Sequence, residues 1–438
     1  MKSDKTFLYT IYVIGFLARL IMAPISAHPI DMWNRYKTYL LVEESGYLNF
    51  HDFPPVYYHF IVLGSFILYR YLSDLEFERS ISRADIVKNL NGWIEHMRYI
   101  PPPLFLVCIK LPIIIADILV ALLLYKISTK VFNLPWEESR KMLLFWLLNP
   151  YVIFISSCWG MFDAIPALLT LASFYFLIIK RYNLSAFFLA LAFACKLYPA
   201  LILPLWLLAL SRQNKKLLLK YLAIFSTISL TIMLPDLQAS AWVFESFLYL
   251  KADAASPICF GLVFWSFLLL FYNNGPPEAL VISIIIGSVL SSGTIYTVTL
   301  YTILKNQDMV NASTFLSYTL LALLPIFIAY RIVYEQWLVW LLPFIILERK
   351  KKFHKIIPAL SLTALMYSVF NCPFPFFLFP LAYVQLEILL TAVRLLPLIY
   401  TFRSIVLVIL GCASTCIFSW LHLKLLNDIV NTRSIIRN

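Results

Sequence analysis

The sequence predicts an all-α fold, a polytopic transmembrane helical bundle of about 11 to 13 helices, and three observations carry that expectation. Hydrophobic residues make up 61% of the 438-residue chain and charged residues only 13%, with a mean hydropathy of +0.82. A water-soluble fold could not cover so much apolar surface. Apolar runs of about 18 to 25 residues recur from end to end, long enough for helices crossing a hydrocarbon core of about 30 Å. They lack the short alternating pattern of a membrane barrel, the other structure that satisfies its backbone in lipid.

The net charge of +12 sits in short clusters between apolar runs, including "KR" at 180–181, "RQNKK" at 212–216 and "ERKKKFHK" at 348–355. Such clusters read as cytoplasmic anchors, and no nucleic acid is expected as a partner. The 7 cysteines lie mostly within apolar segments without a CxxC pair, and the 6 histidines are dispersed, so neither a disulfide framework nor a zinc site is indicated.

The first helix runs from Thr6 to about Pro24 and starts inside; its apolar run lacks a small-residue cleavage site, so it is read as retained. The next unambiguous span is Leu104 to Leu124. Between them, Val56 to Leu72 would place the basic segment Lys126 to Lys141 outside if it crossed, so it is expected in or near the membrane plane. A large first extracytoplasmic loop, residues 27–103, then carries Asp31, Glu43, Glu44 and Asp52. Later spans are expected near 142–157, 161–179, 217–235, 279–304, 312–330, 337–347, 356–371, 377–396 and 402–423. The run from Leu184 to Leu210 is too long for one crossing and basic on both flanks, so it is read as a hairpin of two half-spans with "CKLYP" (195–199) at its tip. The whole chain, 1–438, is read as one transmembrane domain.

Charged residues inside apolar segments are costly and therefore candidates for function. They are Arg19, Lys110, Asp117, Asp163, Lys196, Arg331 and Glu335. On this topology Arg19, Lys110, Asp163, Arg331 and Glu335 fall toward the outer side, with Lys196 at the hairpin tip. Most have a plainer reading, but Lys196, a cation between two apolar half-helices, has less room for one, since it needs an anionic partner or a cavity. Asp31 and Asp52 suit solvated loop acids or helix caps, and Asp163 an N-cap. Arg331 and Glu335, four apart, suit a structural ion pair, and Lys110 and Asp117, seven apart, suit neighbours inside the bundle.

Gly-rich phosphate loops, GxSxG elbows and HExxH motifs are absent, which argues against a soluble nucleotide site. Carboxylates at an outer cavity mouth, deep cations and aromatics together suit an amphiphilic anion such as a polyprenyl phosphate. Arg or Lys would hold the phosphate, apolar helices the lipid, and an acid would deprotonate an incoming hydroxyl. A transporter or flippase of lipid-linked saccharides is the main alternative; an inactive subunit and a lipid-linked glycan polymerase are others.

The element "HDFPPVYYH" (51–59) resembles one found in dolichyl-phosphate-glucose glucosyltransferases. "KLPIIIADILVALLLY", "FWLLNPYVIFISS", "WGMFDA", "KLYPALILPLWLL" and "EQWLVWLLPF" resemble successive elements of GPI-anchor mannosyltransferases and their prokaryotic relatives. In order from about residue 19 to 344, they resemble the GT-C class of integral membrane glycosyltransferases. The resemblance implies an inverting hexosyltransferase that moves mannose or glucose from a polyprenyl- or dolichyl-phosphate donor to a lipid-linked glycan or glycolipid. It implies an active site on the extracytoplasmic face of a multi-pass protein, with a prokaryotic plasma membrane fitting better than the endoplasmic reticulum. Asp31 would be the general base. Arg19, Asp52, Tyr58, His59, Asp163, Lys196, Tyr198, Arg331, Glu335 and Gln336 would bind substrate. The GPI mannosyltransferases carry an Asp-x-Asp in this loop, whereas Met32 and Trp33 follow Asp31 here. Chemistry without a metal or other cofactor is therefore expected.

Overall fold

The computed structural model describes residues 2–45, 56, 61–73, 101–212, 214–234, 260–265, 267, 278–305, 311–348, 351–383, 391–392 and 394–437. The fold is an all-α membrane bundle. Helix α1 (Lys2–Ile25) is followed by α2 (Pro29–Ser45) and α3 (Leu63–Ser73). Next come α4 (Pro103–Lys130), α5 (Trp136–Leu147) and α6 (Pro150–Ile153), which runs on as a π-helical turn, Phe154–Trp159. Then follow α7 (Ala164–Ile178), α8 (Tyr182–Cys195), α9 (Pro199–Ser211) and α10 (Lys215–Met233). Beyond them lie β1 (Phe260–Gly261), α11 (Glu278–Lys305), α12 (Ala312–Ala329) and β2 (Ile332–Val333). A 3-10 turn, Glu335–Trp337, leads into α13 (Leu338–Leu347), and α14 (Ile356–Asn371) and α15 (Leu396–Arg437) close the bundle.

Among the described residues, seven helices are long and apolar enough to cross a membrane: Thr6–Ile25, Pro103–Lys130, Trp136–Trp159, Lys215–Met233, Ile282–Lys305, Ala312–Ala329 and Leu396–Asn431. Shorter apolar helices, α7, α8, α9, α14 and the segment Glu335–Leu347, pack among them. Every residue of α13 is buried, which is why it is apolar on all sides rather than striped.

The hairpin expected between Leu184 and Leu210 is present as α8 and α9, and Lys196 breaks it in an extended conformation (φ −156°, ψ 147°). Helix α3 has 11 residues, about 16 Å of rise, too short to cross alone. The span expected near 377–396 is not a continuous helix. Its first described residues finish a short helical turn, Phe374–Phe377, and continue as a 3-10 segment, Phe379–Tyr383, because Pro380 within the span and Pro373 and Pro375 just before it deprive the backbone of donors. The last helix is longer than the expected 402–423, with 42 residues.

In lipid, apolar surface does not drive helices together, so small residues and hydrogen bonds matter more. Helices α7, α8 and α10 meet where Ser173 Oγ donates to the Ser185 carbonyl (2.6 Å) and Ser185 Oγ bonds Tyr221 OH (3.0 Å). Helices α1 and α4 are joined by a two-pronged ion pair. Arg19 Nε donates to Asp117 Oδ2 (2.6 Å) and Nη2 to Oδ1 (3.1 Å), with both side chains fully buried. Arg19 Nη1 also reaches the Gly15 and Leu147 carbonyls (2.8 and 2.9 Å), and Trp146 Nε1 donates to Asp117 Oδ1 (2.7 Å). Burying two charges is costly, but removing one leaves its partner stranded, at about 3–5 kcal/mol. Asp117→Leu is therefore expected to lower the thermal unfolding midpoint in detergent far more than Arg19→Met/Asp117→Leu together. Equal losses would show that the pair is not coupled.

Candidate active site

The site begins with a problem of helix ends. The last carbonyls of a helix lack intrahelical donors and carry partial negative charge. Here the C-terminal ends of α1 and the π turn come together, and α4 sends one ammonium between them. Lys110 Nζ donates to the carbonyls of Ala23 (2.9 Å), Ser26, Ser157 (2.7 Å) and Cys158 (3.4 Å). Arg35 Nη1, from α2, donates to the Gly160 carbonyl (2.7 Å). Gly160 adopts φ 84°, and a Cβ there would lie 2.9 Å from Lys110 Cε and 3.0 Å from Met32 Cε. Only glycine lets the chain reverse this close to the ammonium.

That reversal aims Trp159 at the start of α2. Trp159 Nε1 donates to Asp31 Oδ2 (2.7 Å), and His28 Nδ1 lies 2.9 Å from the same oxygen. The His28 ring stacks on Trp159 (centroids 4.6 Å apart, 11° between planes) and meets Phe377 edge-on (5.5 Å). The Ala27 N–H donates to the Phe377 carbonyl (2.8 Å), which fixes this loop against the proline-broken segment. Burial alone would lower the His28 pKa; the Asp31 carboxylate beside it, with Cys372, reverses this and raises it to about 10. Burial alone would raise the Asp31 pKa; the His28 charge, the Trp159 N–H and Arg35 hold it instead well below the usual carboxylate range.

Four residues beyond Trp159 stands Asp163, fully buried at the N-cap of α7. Its side chain does not cap that helix. Oδ1 instead accepts from Lys196 Nζ (2.6 Å) and from Trp340 Nε1 (2.6 Å). The Lys196 ammonium also lies 4.8 Å from the Phe162 ring centroid and 4.9 Å from that of Trp340. Tyr198 stacks on Trp340 (4.3 Å, 6°) and bonds Thr170 through its hydroxyl (2.9 Å).

Glu335 and Gln336 enter from the turn before α13. Glu335 Oε1 accepts from Asn371 Nδ2 (3.1 Å), and the Glu335 carbonyl accepts from Tyr151 OH (2.6 Å). Arg403 of α15 donates to the Asn371 carbonyl (3.0 Å). Helical spacing does not relate Arg331 to Glu335, because β2 separates them, so the expected i, i+4 ion pair lacks the helix that would form it. Strand β2 pairs in parallel with β1, and a Cβ on Gly261 (φ 92°) would lie 1.8 Å from the Val333 carbonyl oxygen.

These groups form one polar end of the bundle. Glu335 interacts electrostatically with His28 and Asp31, and Tyr151 with both Asp163 and Glu335. The structure thus brings together Asp31, Asp163, Lys196, Tyr198, Glu335 and Gln336, and places buried Arg331 on the segment leading into that turn. It places Arg19 in the ion pair with Asp117. Asp52, Tyr58 and His59 lie outside the described residues. His28, Tyr151, Trp159, Trp340 and Asn371 belong to the cluster but were not singled out from the sequence. Their available signal was adjacency: His28 lies three residues before Asp31, and Trp159 four before Asp163.

No family model matches the chain. GPI mannosyltransferase 1 of Candida albicans is 36% identical over 108 residues, 24% of this chain and 26% of that protein. GPI mannosyltransferase 1 of Dictyostelium discoideum is 30% identical over 174 residues, 33% of this chain and 39% of that protein. The matched stretches thus span about a quarter and two-fifths of these relatives' lengths. They support kinship with mannosyltransferases over part of the chain, and the apolar helices make it an integral, multi-pass membrane protein.

A His with a raised folded pKa stabilises fully below its ordinary value of 6.5 and loses that contribution as pH climbs through about 10. The Asp31 contribution is present above its ordinary 3.8 and is lost only in strong acid. Between pH 6.5 and 10 the wild-type unfolding midpoint should therefore fall more steeply than that of His28→Asn. Matching slopes would show that the pair does not form.

Proposed function

We propose that the chain is a membrane mannosyltransferase that uses a polyprenyl- or dolichyl-phosphate-linked sugar and works on the extracytoplasmic face. The observation that carries this reading is that the Asp31 carboxylate on α2 and the Lys196 ammonium at the tip of the α8–α9 hairpin belong to one polar end of the bundle, linked through Asp163, Tyr151 and Glu335. The partial similarity to GPI mannosyltransferase 1 supports the choice of sugar and of reaction class. The basic residues, among them Lys180, Arg181, Lys215 and Lys216, flank the opposite helix ends, which supports an outward-facing site under the positive-inside tendency.

In this mechanism the lipid tail lies among the apolar helices, and Lys196, which spends one donor on Asp163, uses the remaining two on the phosphate. The acceptor hydroxyl of a glycolipid or lipid-linked glycan attacks the anomeric carbon from the face opposite the phosphate. The C–O bond to phosphate breaks, the configuration inverts, and Asp31 takes the hydroxyl proton. Trp159 and His28 hold that carboxylate ionised and fixed in direction, at the expense of basicity, so the proton moves late, once the new C–O bond has formed substantially. Phosphate paired with an ammonium leaves without a strong acid. We propose that this chemistry needs no divalent metal, because Met32 and Trp33 follow Asp31 where the GPI mannosyltransferases carry an Asp-x-Asp.

A positioned base is worth about 10² to 10⁴ in rate. Asp31→Asn is expected to fold and insert normally yet to lose transfer by that factor, measured with purified protein and a polyprenyl-phosphate mannose donor in detergent. Wild-type turnover would reject the role. Lys196→Ala is expected to raise the donor KM several-fold or more while leaving the acceptor KM unchanged; an unaltered donor KM would remove Lys196 from the phosphate site.

A further inference from the structure

Among the described residues, three buried acceptor oxygens in the polar end have no hydrogen-bond partner: Asp163 Oδ2, Glu335 Oε2 and Gln336 Oε1. The side chains that bear them are 0%, 0% and 6% exposed. Each of these residues is otherwise held. Asp163 Oδ1 is fixed by Lys196 and Trp340, Glu335 Oε1 by Asn371, and the Glu335–Trp337 turn by Tyr151, whose hydroxyl also lies within the fields of both carboxylates. A buried acceptor left unpaired costs about 1–3 kcal/mol, so three on one rigid frame point to a ligand that brings donors.

The chemistry of that ligand is constrained. Acceptor oxygens give a phosphate no donor to bind, and the Lys196 ammonium already balances the Asp163 charge, whereas alcohol hydroxyls satisfy all three acceptors directly. Beside them runs a column of flat apolar faces: Trp337 stacks on Trp340 (4.7 Å, 23°), which stacks on Tyr198 (4.3 Å, 6°). Apolar walls with a few converging polar atoms are the usual form of a small-molecule site. Lys196, 17% exposed at its side chain, marks the open flank.

We infer that Asp163 Oδ2, Glu335 Oε2 and Gln336 Oε1 form the subsite that reads the hydroxyls of the transferred hexose. This rests on the transfer reading above and divides the labour within the site: the ammonium of Lys196 faces the phosphate, and the three oxygens face the sugar. The subsite sets specificity, because a hydroxyl missing from the ligand leaves a buried acceptor unpaired.

The test compares a short-chain polyprenyl-phosphate mannose with its 2-, 4- and 6-deoxy analogues. Binding to the purified full-length protein is followed by tryptophan fluorescence, and transfer is assayed in parallel. At least one analogue is expected to bind wild type about 10- to 100-fold more weakly than the parent. That penalty should shrink to within about three-fold in Glu335→Leu or Gln336→Leu, whose acceptor is gone. Glu335→Gln and Gln336→Met provide the same comparison if the leucine variants fail to insert, the first with a partial effect. Equal binding of all analogues to wild type, or penalties that persist unchanged in every variant, would overturn the subsite. So would fluorescence that responds to Na⁺ or Mg²⁺ and not to sugar. Sugar binding with the expected discrimination but no transfer would count against the proposed reaction and leave the subsite standing.

Discussion

One ammonium in apolar surroundings organises the functional end of this protein. Lys110 rises from the middle of the bundle into the space where α1 and the π turn both stop, and four backbone carbonyls converge on it. An isolated charge in that position would be expelled or neutralised, and the orphaned carbonyls would need water that lipid does not supply. Each half removes the cost of the other. Because the carbonyls come from two separate segments, their shared ligand also sets the distance between those segments. That distance brings the loop bearing His28 and Asp31 against the ring of Trp159.

From this junction the rest of the site follows by short steps along the chain. Trp159 ends the π turn, Gly160 reverses direction, and Asp163 opens α7 while looking across to the tip of the α8–α9 hairpin. Tryptophan N–H groups recur as carboxylate partners: Trp146 for Asp117, Trp159 for Asp31 and Trp340 for Asp163. Indole suits that work in a membrane, since it offers a single donor on a large apolar body and leaves no acceptor to satisfy. The carboxylates are thereby oriented without spending an arginine on each.

Much of this architecture was legible in the sequence, for identifiable reasons. The hairpin with Lys196 at its tip follows from two basic flanks around a run too long for one crossing, an inference about charge and length that packing does not disturb. The clustering of Asp31, Asp163 and Glu335 follows from the same topology. The span expected near 377–396 failed because hydropathy is blind to the backbone, whereas three prolines within eight residues are decisive there. Arg19 and Asp117, 98 residues apart, show no sequence periodicity that would pair them. Lys110 was visible as an expensive charge, but its partners are carbonyls, which every residue possesses and no side-chain pattern announces. His28 carries no sequence signal of its own beyond standing three residues before Asp31.

The π turn at Phe154–Trp159 has an evolutionary corollary. Such a turn is an α-helical segment carrying one surplus residue, and each residue advances the chain by about 100° around the axis. In the π turn the hydrogen bond runs from i to i+5, as between Ile155 and Gly160, so the turn is underwound by about one residue and deleting a position would restore regular winding with Trp159 still facing Asp31. Descendants of this chain can therefore lose one of these six residues with less disturbance to the flanking segments than a deletion in a regular helix would cause.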